Sequence, residues 1–259
     1  MTPDFMEDTA VQYYADLEQG SIAAAHQVLQ LAQAAILEKG LFTFVLAGGQ
    51  TPKLLYELLS QPAIANRMPW QQSHFFWGDE RWLPSSHPDS NFNMVYETLF
   101  AKVQIPPQNI HQISTGHQNA ANGAEMYEKH LRDFFHSIPQ TETYRTPDNI
   151  SYPEFDMILL GLGADGHTAS LFPGSPVLEE KDRWVALVDE KTGFPPVQRI
   201  TMTLPVLNHA RHVIFLVAGP EKQKIAQTIL HEPDRALKLY PAARVQPAGE
   251  LTWIVAEKQ

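Results

Sequence analysis

The apolar positions of this chain alternate between helical and strand spacing from one segment to the next. After a polar start, SIAAAHQVLQLAQAAILEKG sets Ile22, Val28, Leu29, Leu31, Ile36 and Leu37 at helical intervals and closes on Gly40. FTFVLA is a short β-branched and aromatic run, bounded by Gly48 and Gly49, and predicts a strand. Thr51 then caps, and Pro52 opens, a helix over PKLLYELLS with Leu54, Leu55, Leu58 and Leu59 on one side. HFFW predicts a second strand ending at Gly78. A helix capped by Asp89, Ser90 and Asn91 follows, carrying Met94, Val95, Leu99 and Phe100. Gln118 to His136 predicts another, with Tyr127, Leu131, Phe134 and Phe135 along its face. FDMILL, WVALV, RITMT, HVIFLVA and LTWIVA complete the set as strands.

Strands that are apolar throughout, alternating with helices, imply a mostly parallel, Rossmann-like sheet covered on both faces, a three-layer α/β/α architecture. The polar, proline-bearing stretch SIPQTETYRTPDNISYPE is the one plausible linker, but the alternation resumes beyond it. A single domain over residues 1–259 is therefore expected. The strand assignment also locates the unusual loops. FTFVLA runs into GGQTP, HFFW into GDERW, FDMILL into GLGADGH and HVIFLVA into GPEK. Each lies past the carboxyl end of a strand, the rim where open α/β sheets bind ligands, so the four motifs point to one site.

Composition narrows the chemistry. A net charge of −10 argues against general affinity for nucleic acid or anionic membrane, so an anionic substrate needs locally gathered Arg and Lys. The absence of cysteine removes disulfides, thiol nucleophiles and thiolate metal sites. The acidic beginning MTPDFMEDTA lacks the features of a secretory signal, no apolar run has the length of a membrane span, and a cytoplasmic protein is expected.

GGQTP offers turn glycines and an exposed helix start, a natural seat for phosphate, although a tight turn needing positive φ gives the same pattern. GPEK repeats the arrangement with Pro220 at the first helical position and Lys222 in the first turn, where a cation is unfavourable unless an anion is near. Arg199 offers a planar fork to the same anion. GDERW sets Asp79, Glu80 and Arg81 beside Trp77 and Trp82, more charge than a solvated turn needs.

GLGADG matches the dinucleotide fingerprint G-x-G-x-x-G, with Asp189 at the end of WVALVD as a candidate ribose partner. That fingerprint must lead into a long crossover helix, and here only HTASLF intervenes before Pro173. The glycines instead bring backbone close to a small ligand, with His167 beside it and Asp165 able to orient the imidazole. His111, His117, His130 and His231 are read as structural. His209 and His212, three apart at a helix end, lack a third ligand, so no metal is expected. What remains is attack by water on an activated carbonyl, or proton transfer on a sugar phosphate.

LAGGQTPKLLYELL, FFWGDERWLPSSHPDSNFNM, FDMILLGLGADGHTASLFPGSP and RITMTLPVLNHARHVIFLVAGPEKQKI, in this order, resemble the signatures of the 6-phosphogluconolactonase family. That family hydrolyses 6-phosphogluconolactone to 6-phosphogluconate in the pentose phosphate pathway and shares its fold with glucosamine-6-phosphate deaminase. The deaminase pattern continues after the histidine with Ala-Phe-Asn-Glu-Pro; here Ala169, Ser170, Leu171, Phe172 and Pro173 stand instead, without the glutamate. Gln50 stands where the family often has serine, and Phe194 where it often has a lysine before paired prolines. The resemblance implies that Gly48, Gly49, Thr51, Arg199 and Lys222 hold the 6-phosphate and that His167 is the general base, oriented by Asp165. It implies that Arg81 steadies the carbonyl oxygen or grips the sugar, unless Asp79 or Glu80 engages it as a structural ion pair. No metal, nucleotide, cofactor or obligatory protein partner is implied. The rivals are the deaminase, a non-catalytic sugar-phosphate sensor and, last, a dehydrogenase.

Overall fold

A computed structural model describes residues 9–138, 144–145, 151–188, 193 and 195–258. Asp189, Phe194 and most of the loop between Ser137 and Glu154 lie outside the described residues.

The chain opens with a strand, β1 (Thr9–Tyr14), and a long helix, α1 (Leu17–Lys39). It continues through β2 (Phe42–Leu46), α2 (Gln50–Leu59), a single turn α3 (Pro62–Ala65), β3 (Ser73–Trp77), β4 (Asp79–Arg81) and α4 (Asn91–Thr98). Then come β5 (Ile110–His111), α5 (Ala120–Ser137), the short pair β6 (Tyr144–Arg145) and β7 (Ser151–Tyr152), and β8 (Met157–Leu160). Beyond β8 lie β9 (Val185–Val188), β10 (Arg199–Met202), the turn α6 (Leu204–Leu207) and β11 (His212–Ala218). The helices α7 (Pro220–His231) and α8 (Pro233–Leu239) lead to the last strand, β12 (Glu250–Ala256).

Seven strands form one sheet in the order β1-β12-β11-β8-β2-β3-β5, and every pairing in it is parallel. The expected covered parallel sheet is therefore present. β2 and β8 are buried at every position, as strands packed on both faces must be. From β2 the chain builds outward through β3 and β5, then returns to the other side of β2 to lay down β8, β11 and β12. The order reverses between β2 and β8, and a crevice opens there at the strands' carboxyl ends.

Two strands expected in this sheet belong elsewhere. β9 and β10 join β4 in a separate antiparallel sheet, in the order β4-β10-β9. The charged sequence DER conceals β4, whose pairing depends on residues more than a hundred positions away. The polar start also hides a strand, β1 (TAVQYY), whose mixed character suits an edge with one neighbour among the described residues, β12.

Helix boundaries differ in instructive ways. α1 begins at Leu17 because Asp16 caps it, accepting from the Gln19 N–H at 2.9 Å. Its buried face is built of Ala24, Ala25, Val28, Leu29, Ala32 and Ala35, whereas Ile22 and Leu37 are exposed. Small residues let the helix lie close to the sheet, so alanines mark its inward face better than the larger side chains. Gly40 ends the helix in the left-handed region, as expected.

Candidate active site

The loops that leave β2, β3, β8 and β11, together with the start of β10, line one cleft of about 270 Å³ at the switch point. Gly48, Gly49, Thr51, Arg81, His167, Arg199 and Lys222 all line it. Asp165 stands behind His167 rather than in the lining.

Past β2, Gly49 adopts φ 92°, which glycine accommodates, and serves as the N-cap of α2. The expected Thr51 cap is thus corrected: the turn at Gly49 starts the helix at Gln50, which puts Thr51 and Pro52 inside the first turn. First-turn N–H groups have no partner within a helix, and they lie at the positive end of its dipole. At Gly48 a Cβ would fall 1.9 Å from Asn91 Oδ1, so the glycine makes room for that asparagine. Past β11 the same device recurs: Gly219 at φ 95° caps α7, Pro220 takes the first helical position, and Lys222 follows in the first turn. Burial pushes the Lys222 ammonium below its ordinary range, an environment that favours pairing with an anion.

The loop after β8 presents the histidine. Gly163 donates its N–H to the His167 carbonyl at 2.8 Å, closing the loop on itself. A Cβ on Gly163 would sit 2.1 Å from His167 Nδ1, so only glycine permits this ring position. His167 Nδ1 lies 2.5 Å from Asp165 Oδ1, which also accepts the His167 backbone N–H at 3.1 Å. Burial acts to raise the Asp165 carboxyl, but the hydrogen bonds and charge of His167 outweigh it and hold the group below its ordinary value. An ionised carboxylate only accepts, so this hydrogen bond needs the imidazole proton on Nδ1, and in the neutral ring the lone pair is then at Nε2. No crossover helix follows the loop before the short 3-10 turn at Pro176–Glu179, so the structural context of a dinucleotide site is missing.

Ala169, next but one after the histidine, sits at φ 46°, a left-handed conformation costing a β-carbon-bearing residue roughly 1–2 kcal/mol. Its neighbours hold it there. The Thr168 hydroxyl donates to the Gly161 carbonyl at 2.8 Å. Ser170 donates its hydroxyl to Asp79 Oδ2 at 2.5 Å and its N–H to the Thr201 hydroxyl at 3.3 Å. The histidine loop is thereby tied to the antiparallel sheet.

That sheet carries the two arginines. Arg81 and Arg199 are directly opposite in the β4–β10 register. Like charges so placed are destabilising unless negative charge lies close by. Arg81 Nη1 donates to the Asp89 carbonyl at 2.8 Å, and Arg199 Nη2 to the Pro195 carbonyl at 3.3 Å. Burial depresses the Arg199 guanidinium; the charge of Asp79 opposes that shift and the charge of Arg81 adds to it. Neither Asp79 nor Glu80 forms an ion pair with Arg81 among the described residues. Glu80 instead accepts the N–H groups of Arg81, Asn91 and Phe92, each at 2.8 Å, and the Ser90 hydroxyl at 3.0 Å. It anchors the start of α4, where Ser90 is the N-cap as expected. Burial pushes the Glu80 carboxyl up despite these donors.

Sequence reasoning did not assign Asn91, Ser170 and Ala169 to the cleft wall and its supports, and it offered Asp79 as a partner of Arg81 rather than of Ser170. The D-S-N run was legible as a helix cap, but the contact of Asn91 with Gly48 arises only from the tertiary fold. His209 and His212 do not share a helix: His209 follows α6, while His212 opens β11 and lies 3.3 Å from Glu250. No cluster of metal-ligating side chains occurs among the described residues.

A family model described as glucosamine-6-phosphate isomerases/6-phosphogluconolactonase matches residues 15–253. The chain belongs to this family. Within the glucosamine-6-phosphate isomerase/6-phosphogluconolactonase family, a 6-phosphogluconolactonase of Synechocystis sp. is 44% identical over 224 residues, covering 86% of this chain and 85% of that one. A chloroplastic 6-phosphogluconolactonase of Arabidopsis thaliana is 35% identical over 250 residues, 96% of this chain and 74% of its own. Among solved structures, the 6-phosphogluconolactonase of Trypanosoma brucei superposes with a TM-score of 0.82 at 28% identity, covering 96% of both chains. That of Thermotoga maritima gives 0.78 at 30% identity, covering 96% of this chain and all of the other.

Proposed function

We propose that this protein hydrolyses 6-phospho-D-glucono-1,5-lactone to 6-phosphogluconate in the cytoplasmic pentose phosphate pathway. The observation that carries the reading is the His167–Asp165 pair, set in the same cleft as Arg81, Arg199, Lys222 and the first turn of α2. The names borne by the relatives support it.

The 6-phosphate binds at the N–H groups of Gly48, Gly49 and Thr51, with Arg199 and Lys222 completing the charge. With Nδ1–H directed to Asp165, His167 Nε2 takes a proton from the attacking water as its oxygen bonds to C1. Arg81 stabilises the charge that develops on the carbonyl oxygen. The C1–O5 bond then breaks, and the imidazolium returns its proton to the departing ring oxygen. Water is the nucleophile throughout, so no covalent enzyme intermediate forms, and the scheme employs no metal or nucleotide.

The test is hydrolysis of freshly generated 6-phosphogluconolactone, with the spontaneous rate subtracted, by wild type and His167→Ala. Fast wild-type turnover is expected, falling about 10²–10⁴-fold in the variant while 6-phosphogluconate still binds. A wild-type rate at background, with the ligand still bound, refutes the catalytic reading and leaves a sugar-phosphate sensor. Ammonia release from glucosamine 6-phosphate refutes it in favour of the deaminase.

A further inference from the structure

Phe172 has no role in the scheme above, yet it touches two of the groups on which that scheme depends. The residue is buried, and its ring centroid lies 4.5 Å from that of His167, at an interplanar angle of 44°. Over the same ring, the Arg199 Cζ stands 5.4 Å from the centroid. The ring's far edge is confined by Gly193, where a Cβ would approach Phe172 Cζ to 2.3 Å. A short bridge between Thr168 and Leu171 and a hydrogen bond from the Ser175 N–H to the Phe172 carbonyl, at 3.1 Å, fix the backbone on either side. Thus one immobilised aromatic ring contacts both the base and an arginine of the anion site.

The chemistry of the two contacts is alike. Arg199 carries a permanent cation, and His167 acquires one when it takes the proton from water. The face of an aromatic ring attracts cations placed within about 6 Å of its centroid. It offers no hydrogen bond, so it neither competes with Asp165 for the imidazole nor with a phosphate for the guanidinium. A polar side chain here would have done both.

We propose that Phe172 is a positioning residue whose π face orients the imidazole of His167 and seats the guanidinium of Arg199, coupling the base to the anion site. The proposal rests on the function assigned above for its catalytic half; the half concerning Arg199 stands on anion binding alone.

Two replacements test it. Phe172→Leu removes the ring and keeps an apolar side chain. Incorporation of 2,6-difluorophenylalanine at 172 keeps the ring, leaves the Cε and Cζ edge against Gly193 unchanged, and withdraws π density. Three quantities are read: kcat on the lactone, Kd for inorganic phosphate, and the thermal midpoint. Phe172→Leu is expected to lower kcat about tenfold and weaken phosphate about threefold. The fluorinated protein is expected to keep about a third of the wild-type kcat and to bind phosphate about twofold more weakly, with the thermal midpoint unchanged. A purely structural role would move the midpoint with the leucine and leave the fluorinated protein like wild type. Wild-type kcat and phosphate affinity in the fluorinated protein, or in Phe172→Leu, overturn the proposal. If Phe172→Leu does not fold, the fluorinated protein decides alone. A wild type without lactonase activity refutes the proposed function instead, and the phosphate titration still decides the contact with Arg199.

Discussion

The position of His167 depends on an atom that is absent. Gly163 has no Cβ, and the one that alanine would add lies 2.1 Å from His167 Nδ1. Gly163→Ala is therefore expected to drive the ring off Asp165 and lower kcat about 10²-fold, the scale of a misplaced catalytic group, while circular dichroism stays native. Asp165→Asn removes the charge that fixes the imidazole proton on Nδ1. It is expected to reduce kcat by a similar order of magnitude with little change in KM. Because the Asp165 carboxyl is held below its ordinary value, the pair is intact at neutral pH. It is lost only as pH falls through that lowered value, which an NMR titration of the carboxyl carbon itself will show. Much of this was readable in G-L-G-A-D-G-H, since glycines before a histidine signal close backbone approach. The antiparallel pairing of Arg81 with Arg199 was not, because no local pattern records a contact between strands so distant in the chain.

Single elements show where sequence patterns succeed. Buried strands such as FTFVL announce themselves through β-branched and aromatic runs. α1 conveys its length but not its inward face, because alanines do the packing. α5 shows a different limit: the sequence marks its His130 as structural but does not reveal its partners. His130 Nε2 lies 2.7 Å from His111 Nδ1, and His111 Nε2 lies 3.0 Å from His74 Nδ1. This chain of imidazoles joins the helix to β5 and β3, with His111 stacked on Phe76 at 4.3 Å. Burial, with the charges of His130 and His74, depresses His111 to about 3, and burial lowers His74 and His130 as well. The unfolded chain takes up these protons near the ordinary value of 6.5, so it binds more protons than the folded chain below that pH. Stability is full above the ordinary value and is lost as pH falls toward 3. Urea midpoints are expected to drop between pH 7.5 and 5, and His111→Phe, which retains the stacked ring, is expected to flatten that slope.

At the scale of the molecule, the cleft gathers cations within a chain of net charge −10. An anionic substrate gains its affinity from Lys222, Arg199 and the helix starts, not from the general field. Lys222→Ala is expected to raise KM about tenfold with a smaller change in kcat, and added salt to raise wild-type KM. Initial rates at two ionic strengths check both. The four rim loops were readable as one site because strand alternation alone places them at the sheet's carboxyl edge. The second sheet beneath the arginines was hidden, since its strands resemble members of the first.

The sheet order has a consequence for the making of the chain. Among the described residues β1 pairs with β12 alone, so β1 waits for a strand that is made long after it. Until then TAVQYY, uncharged and without proline, remains an open template for pairing with another molecule. Nascent chains stalled before Glu250 are therefore expected to aggregate through this segment, and a lysine at exposed Tyr13 to protect them. The ribosome, rather than the finished enzyme, is where this edge is most vulnerable.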